Sequence, residues 1–169
     1  MIVKKPFLLF SCLILLFASC NDAEETNQMK DILDQVASIT GKEAYLQSPF
    51  VTAGDRLYMV GHQDGSFPEI GWHVQGEMGG IWNHPIKLMD GLELSLVEDG
   101  KVIKLEKAER FINYPFANEH RYSLPGSQLQ LTRRQYVPDG YEGIIVEYHL
   151  QNDAETARNL ELNFTGYSD

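Results

Sequence analysis

The feature that most constrains this fold is a series of short alternating segments in the second half of the chain, with no helical crossover between them. Leu92, Leu94 and Leu96 alternate with polar residues, and Asp99-Gly100 then turns the chain into a second apolar segment. An Asp-Gly pair between such segments predicts a β-hairpin, because glycine tolerates the positive φ of a type I′ turn. We therefore expect antiparallel strand pairing from this point onward.

Further segments have the same strand character and are separated by turn-forming residues. They cover residues 56–62, 109–114, 128–136, 143–151 and 159–167. In the fourth of these, Ile144, Val146, Tyr148 and Leu150 share one face, which we expect to point into the core. Repeated short strands of this kind predict a mainly β protein, an antiparallel β-sandwich over residues 42–169. Because the final strand reaches the last residues without a polar tail, we expect this sandwich to be incomplete at its C-terminus.

Residues 1–19 have the organisation of a secretory signal peptide. A short basic region precedes an apolar core over residues 7–17, too short to span a membrane as a mature helix. Ala18-Ser19 before Cys20 resembles the bacterial lipoprotein box, in which the cysteine is lipidated; a plain signal peptide is the alternative. Residues 20–28 form an acidic tether similar to the export tag of Bacteroidetes surface lipoproteins, or a simple solvated linker. The pattern predicts a cell-envelope protein with a lipid anchor in the membrane, on its periplasmic or surface face.

The charge and the cysteines exclude several classes of partner. The net charge is -10 at neutral pH. Nucleic acids and anionic lipid surfaces require clustered Lys and Arg, so we expect no nucleic acid partner, whereas neutral glycans are compatible. Both cysteines, Cys12 and Cys20, belong to the leader or its end, so the domain has no thiol for a disulfide or a thiolate metal site. We expect no cofactor.

A single amphipathic helix is predicted over residues 29–41. Its apolar positions recur at helical spacing, and they are Met29, Ile32, Leu33, Val36 and Ile39. Thr26 or Asn27 can cap its start and Gly41 its end. We expect this helix to pack on the body of the domain.

Residues 61–91 concentrate the chemically versatile side chains of the chain. They contain three of the five histidines, both tryptophans and seven of the fourteen glycines. No sustained period of two or of 3.6 is present, so the segment predicts a long ordered loop, and such loops are usually functional. Aromatic rings beside imidazoles and carboxylates suit a carbohydrate or another polar ligand. The alternative is that the tryptophans only fill the core and the glycines only form turns.

Two more specific chemistries are possible within this loop. His62, His73 and His84 recur every eleven residues and, with Asp64 or Glu77, suggest a metal site, although loop spacing does not ensure that they converge. The four acids of the loop suggest an acid and base pair for glycoside cleavage. These acids are Asp64, Glu69, Glu77 and Asp90. Hydrogen bonding to loop amides or to a ligand explains them equally, so we expect neither a metal nor a catalytic residue in this chain.

The segment GHQDGSFPEIGWHVQGEMGGIWNHPIKLMDG, followed by the hairpins and by RRQYVPDGYEGIIVEYHLQND, resembles a family of bacterial glycoside hydrolases. In that family an N-terminal super-β-sandwich precedes an (α/α)6 six-hairpin barrel, and Bacteroidetes members are labelled glycogen-debranching or α-glucosidase-like. The resemblance covers about residues 43–169. It implies that the acid and base lie in the barrel and that the sandwich lends a loop to the sugar pocket. By the resemblance, the residues expected to face the substrate or the barrel are Trp72, His73, Glu77, Trp82 and His84.

The resemblance implies that this chain is the sandwich domain of a cell-envelope glycoside hydrolase acting on α-linked oligosaccharides. Its expected partners are an oligosaccharide or polysaccharide and the C-terminal (α/α)6 catalytic domain, without which we expect no hydrolysis. The alternative is a non-catalytic surface glycan-binding lipoprotein, with Trp72 and Trp82 as the stacking platform. A third possibility is a structural module whose loop is buried against a partner.

Overall fold

The computed structural model describes residues 28–71, 73–105, 107–124 and 126–168. Within these residues the chain forms one α-helix, α1 (Gln28–Leu33), one 3-10 turn (Glu43–Tyr45) and twelve strands. The strands are β1 (Ile39–Thr40), β2 (Pro49–Ala53), β3 (Tyr58–His62), β4 (Gly80–Asn83), β5 (Ile86–Met89), β6 (Gly91–Glu98), β7 (Lys101–Lys104), β8 (Arg110–Asn113), β9 (Ala117–Leu124), β10 (Leu129–Tyr136), β11 (Ile145–Asn152) and β12 (Glu161–Tyr167). The predicted signal peptide, the tether to residue 27 and the lipidation site Cys20 lie outside the described residues.

The strands form three antiparallel sheets. One has five strands in the order β1-β8-β9-β10-β11, one has four in the order β2-β3-β4-β5, and one has three in the order β12-β6-β7. The prediction of a mainly β, antiparallel sandwich is confirmed. β9 and β10 pair along eight residues each, from Leu124 opposite Leu129 to Ala117 opposite Tyr136. This long pair forms the centre of the five-stranded sheet.

The core lies between one face of the five-stranded sheet and the two smaller sheets. Phe111 of β8 packs in one cluster with Phe50, Met59 and Ile81 of the four-stranded sheet. Two further clusters join the five-stranded sheet to β6, and their buried members are Leu94, Ala108, Tyr122 and Leu131 in one and Leu96, Leu124 and Leu129 in the other. The three-stranded sheet is therefore held by alternate residues of β6, and Ile103 of β7 also packs against the second of these clusters.

The predicted inward face of β11 is confirmed. Ile144 and Val146 pack against the first cluster, and Tyr148 and Leu150 pack against the second. The intervening Ile145 is 45% exposed, as the period of two requires. Side-chain alternation alone was sufficient to assign this face.

The Asp99-Gly100 hairpin is also confirmed. It joins β6 to β7, with Glu98 opposite Lys101. Asp99 has a φ of 47° and Gly100 a φ of 74°. Positive φ at both central positions is the requirement of the type I′ turn.

The amphipathic helix is shorter than predicted. α1 ends at Leu33, after which Gln35 and Val36 donate to carbonyls three residues back, and Ile39 begins a strand that pairs with β8. Of its apolar positions Leu33 is fully buried, whereas Ile39 is 72% exposed. Backbone pairing at the sheet edge therefore replaces the last helical turns, and the sheet begins before residue 42.

The prediction of an uninterrupted loop over residues 61–91 is wrong in its second half. There β4 and β5 form a hairpin, joined through a turn that contains the cis His84–Pro85 peptide bond. Each strand has four residues, too few to show sustained alternation in the sequence. Residues 63–71 and 73–79 are irregular, whereas β4 extends the four-stranded sheet by pairing with β3.

The outer face of the five-stranded sheet is ionic. Glu119 is buried there and accepts from Arg134 Nε at 2.7 Å and from Arg121 Nε at 2.7 Å. Arg134 also donates to Glu147 at 3.0 Å. The charge of Arg134 acts on Asp34, just after α1, and contributes to the low pKa of that carboxyl, although its hydrogen bond with Lys30 is the main cause.

No helix in the described part of the chain has the length and apolar character needed to cross a membrane.

Candidate functional site

The turn after β3 anchors the irregular segment. Asp64 is buried, and its Oδ1 accepts from the backbone N–H of Ser66 at 3.0 Å and from the Ser66 hydroxyl at 2.6 Å. The carbonyl of Ser66 in turn accepts from the N–H of His62 at 2.9 Å. Asp64 is therefore a turn-forming residue, which was one of the alternatives for the loop acids.

Gly65, at the tip of this turn, is required by its position. Its φ is +86°, and a Cβ on it would collide with the hydroxyl of Tyr122 in β9. Its carbonyl accepts from Arg133 Nη1 at 3.0 Å. The turn is thus fastened to the five-stranded sheet, and it directs the following segment across the edge of the sandwich.

A first cavity of about 480 Å³ lies under this segment. Its wall combines the segment itself, β5 and the end of β12. The lining residues are Phe67, Pro68, Glu69, Gln75, Gly76, Glu77, Gly79, Lys87, Met89, Asp90, Tyr167 and Ser168. Apolar and hydrogen-bonding groups thus face the same space, as in sites for polar small molecules.

Two of the three acids in this cavity are already engaged. The Glu77 carboxylate accepts from the N–H groups of His73 and Val74, at 3.1 and 3.2 Å. Asp90 forms an ion pair with Lys87, whose ammonium also donates to the carbonyl of Gly76. Such acids hold the loop in place, and this arrangement favours ligand binding over acid and base catalysis.

A second cavity of about 570 Å³ adjoins the first. The two share Phe67, Pro68 and Tyr167 and are therefore adjacent, and we refer to them together as the sandwich cleft. Its second half opens between β6 and the five-stranded sheet. The other lining residues are Gly65, Ser66, Leu92, Glu93, Leu94, Ser95, Lys104, Leu105, Lys107, Tyr122, Arg133, Tyr148, Asn163 and Thr165.

The tyrosines of the cleft remain protonated. Burial raises the pKa of the Tyr122 and Tyr148 hydroxyls, and the charge of nearby Arg133 partly opposes that rise. Burial also raises the pKa of Tyr167, with Glu93 and Asp90 adding to the effect. All three are therefore neutral hydrogen-bonding groups at neutral pH.

The residues predicted to face a substrate are placed unequally. Glu77 lines the cleft, and the exposed His73 is tied to it through its backbone. His84 is exposed in the turn between β4 and β5, and Trp72 lies outside the described residues. Their roles in binding stay predictions. Among the described residues of this set, His73 and Glu77 are in contact.

Trp82 is integrated into the four-stranded sheet. Its indole stacks on Tyr58 of β3 at 6.3 Å and 7° between planes, and Lys87 of β5 lies 5.7 Å from the ring centroid. Its Nε1 donates to the carbonyl of Gly79 at 3.1 Å. The ring therefore holds the β4–β5 hairpin and the adjacent cleft wall together.

The described residues contain no group of three His, Cys, Asp or Glu side chains positioned to hold a metal ion.

Arg133 is 4% exposed and lines the second half of the cleft, and it is not among the site residues predicted from the sequence. A signal was present in the adjacent arginines of β10. Side chains alternate along a strand, so Arg133 must share the inward face of Leu129 and Leu131 when Arg134 points outward. A charged residue in phase with a core face is a candidate functional residue.

Together, the fold and the cleft define a β-sandwich protein with a mixed aromatic and polar binding cleft. Comparison of the chain with known protein families, with curated proteins and with solved structures finds no match.

Proposed function

We propose that this chain is the sugar-binding sandwich domain of a cell-envelope glycoside hydrolase acting on α-linked oligosaccharides. The observation that carries the proposal is the sandwich cleft. Its two halves, of about 480 and 570 Å³, have the size of small-molecule sites. Phe67 and Tyr167 supply ring surface at the junction, and apolar ring faces pack well on the apolar faces of sugars.

The polar lining of the cleft supports a sugar as its ligand. Glu69 is exposed at the rim, and Asn163 and Thr165 of β12 contribute neutral hydrogen-bonding groups on the opposite wall. Sugars present many hydroxyls, each of which both donates and accepts, so mixed carboxylate, amide and hydroxyl linings suit them. The cleft therefore offers several partners to a short oligosaccharide.

Hydrolysis is assigned to a separate catalytic barrel. Glycoside cleavage needs two carboxyl groups acting on opposite sides of one bond, and Glu77 and Asp90 are occupied by loop amides and by Lys87. On this proposal the isolated chain binds an oligosaccharide without cleaving it. Release of reducing sugar by the purified chain would contradict this assignment.

An exposed apolar surface on β12 is consistent with packing against such a barrel. Leu162 and Phe164 are 51% and 56% exposed, although their strand neighbours Leu96 and Leu94 are buried. Exposed side chains that continue a core face are typical of surfaces covered by another domain. Hydrogen exchange at the β12 amides, with and without the barrel, tests this contact. Equal exchange in the two forms would argue against it.

Titration calorimetry with linear α-linked glucose oligosaccharides tests binding in the cleft. Glu69→Gln should weaken affinity by about 1–2 kcal/mol, because it removes a charged acceptor for sugar hydroxyls. Glu155→Gln is the matched control, since Glu155 is an exposed acid on a turn outside the cleft. If both variants bind the oligosaccharide with the same affinity as the wild type, the cleft is not the binding site.

A stand-alone glycan-binding lipoprotein is the second candidate. It shares the observation that carries the first candidate, the sandwich cleft lined by aromatic and polar residues. On this reading the chain binds glycans with the same affinity in the presence and absence of any further domain. A clear loss of affinity when the barrel is removed would favour the hydrolase.

A further inference from the structure

The second half of the sandwich cleft contains a buried cation. Arg133 lies on the inward face of β10 and is 4% exposed. Its Nε donates to Gln135 Oε1 at 3.1 Å and its Nη1 donates to the Gly65 carbonyl at 3.0 Å. The guanidinium also lies over the ring of Phe67, 5.6 Å from the centroid. All of these partners are neutral.

No carboxylate in the described part of the chain lies within ion-pair distance of Arg133. The buried Asp64 is close enough to act on Tyr122, yet it accepts from Ser66 and forms no ion pair with Arg133. Burying a charge without a counter-charge is costly, so such groups are usually paired or functional. Arg133 therefore resembles one half of an ion pair whose other half is not supplied by the described residues.

The groups around Arg133 are suited to an anion. His120 Nδ1 lies 3.4 Å from Arg133 Nη2, and burial together with the charge of Arg133 holds the pKa of this imidazole well below its usual range. The Tyr148 hydroxyl is buried beside Arg133 and lines the same cavity. A neutral hydroxyl and a guanidinium in one cavity provide donors on two sides of a small anion.

The rim of the cavity adds further positive charge. Lys104 of β7 and Lys107 both line it, and among the described lining residues Glu93 is the one carboxylate. This local excess of cations contrasts with the net charge of -10 of the whole chain. The local field therefore attracts anions to a protein that otherwise repels them.

We propose that the Arg133 end of the sandwich cleft binds the carboxylate of an acidic sugar, a hexuronate unit of an oligosaccharide. The planar guanidinium matches the two oxygens of a carboxylate, with Tyr148 and Lys104 as additional donors. The neutral remainder of the sugar then extends toward Phe67 and Tyr167, where the two halves of the cleft join. This inference rests on the proposed function, because it names the class of sugar that the same cleft selects.

Calorimetry on the full-length protein tests the site with four probes: D-glucuronate, D-glucose, acetate and inorganic phosphate. Glucuronate should bind at least tenfold more tightly than glucose, because it gains charge-assisted hydrogen bonds. Its affinity should fall as salt is raised. If phosphate binds more tightly than glucuronate, the ligand of the site is a phosphate and not an acidic sugar. If glucuronate and glucose bind with equal affinity, the anion site is contradicted.

Variants locate the contact. Arg133→Gln should lower the affinity for glucuronate at least tenfold more than it lowers the affinity for glucose. Should that buried substitution prevent folding, Lys104→Gln on the rim should still lower glucuronate affinity severalfold. Lys101→Gln is its matched control on the same strand, because Lys101 is exposed and outside the described lining. Equal effects of Lys104→Gln and Lys101→Gln would overturn the assignment.

The outcomes also separate this inference from the proposed function. Binding of neutral α-linked oligosaccharides without preference for glucuronate would overturn only the acidic-sugar site. The protein could instead bind glucuronate at Arg133 but fail to bind any oligosaccharide. That result would support the anion site and contradict the proposed glycan-binding function.

Discussion

His120 should make the stability of this protein depend on pH. The imidazole is fully buried between the rings of Phe50 and Phe111, at centroid distances of 5.0 and 5.1 Å. Its Nδ1 faces two donors, Gln135 Nε2 at 3.2 Å and Arg133 Nη2 at 3.4 Å, so Nδ1 is the acceptor and the ring is neutral. Burial first, and the charge of Arg133 second, hold its pKa well below the usual value of 6.5.

The sign of the effect follows from proton binding. Below about pH 6.5 the unfolded chain protonates His120 whereas the folded protein does not, so the unfolded state is favoured as the pH falls. Stability is complete above that pH and declines below it. Between about pH 7.5 and about pH 5.5 this one group should lower the free energy of unfolding by about 1.4 kcal/mol, with the folded imidazole neutral throughout the interval.

Urea denaturation at constant ionic strength measures this dependence. His120→Gln should be less stable than the wild type at every pH. Between about pH 7.5 and about pH 5.5, however, its free energy of unfolding should fall by about 1.4 kcal/mol less than that of the wild type. His149→Gln, on the exposed face of the same sheet, is the matched control and should keep the wild-type dependence. An unchanged pH dependence in His120→Gln would refute a neutral, buried imidazole.

Two further substitution pairs test the fold. Gly65→Ala should lower the free energy of unfolding, measured by urea denaturation, by about 2–4 kcal/mol, because the strain of a positive φ is added to a collision with the Tyr122 hydroxyl. Gly140→Ala should lower it by about 1 kcal/mol, because Gly140 also has a positive φ but lies in open space. Similar losses would mean that the turn is not pressed against β9. Leu96→Ala should cost about 3 kcal/mol and Leu162→Ala under about 1 kcal/mol, because the first side chain is fully buried and the second is half exposed. Comparable losses in thermal unfolding would place Leu162 in the core.

The strand hairpins were predictable because their signals are local. Residues two apart share a face, so the apolar positions of β6 and β11 identified their inward sides, and Asp99-Gly100 identified the turn type. The β4–β5 hairpin was not predictable in this way. Its strands are short, and they depend on pairing with Tyr58 and Met59 of β3.

The candidate site was only partly visible in the sequence. The concentration of rings and acids over residues 61–91 drew attention to the right segment, and Glu77 and Asp90 do line the cleft. Arg133 comes from β10, 68 residues beyond Gly65, whose carbonyl it contacts. Such a contact has no local signature, because it exists only when the turn after β3 is folded against the five-stranded sheet.

The sequence by itself determined the mainly β class, the Asp99-Gly100 hairpin and the inward face of β11, because each follows from residue spacing within one segment. Tertiary structure alone decided that α1 ends at Leu33, that the Trp82 ring stacks on Tyr58 within the four-stranded sheet, and that Arg133 shares a cavity with Tyr148. These features depend on competition between local preference and long-range burial. A cation without a counter-charge can be recognised only after every possible partner has been placed in space.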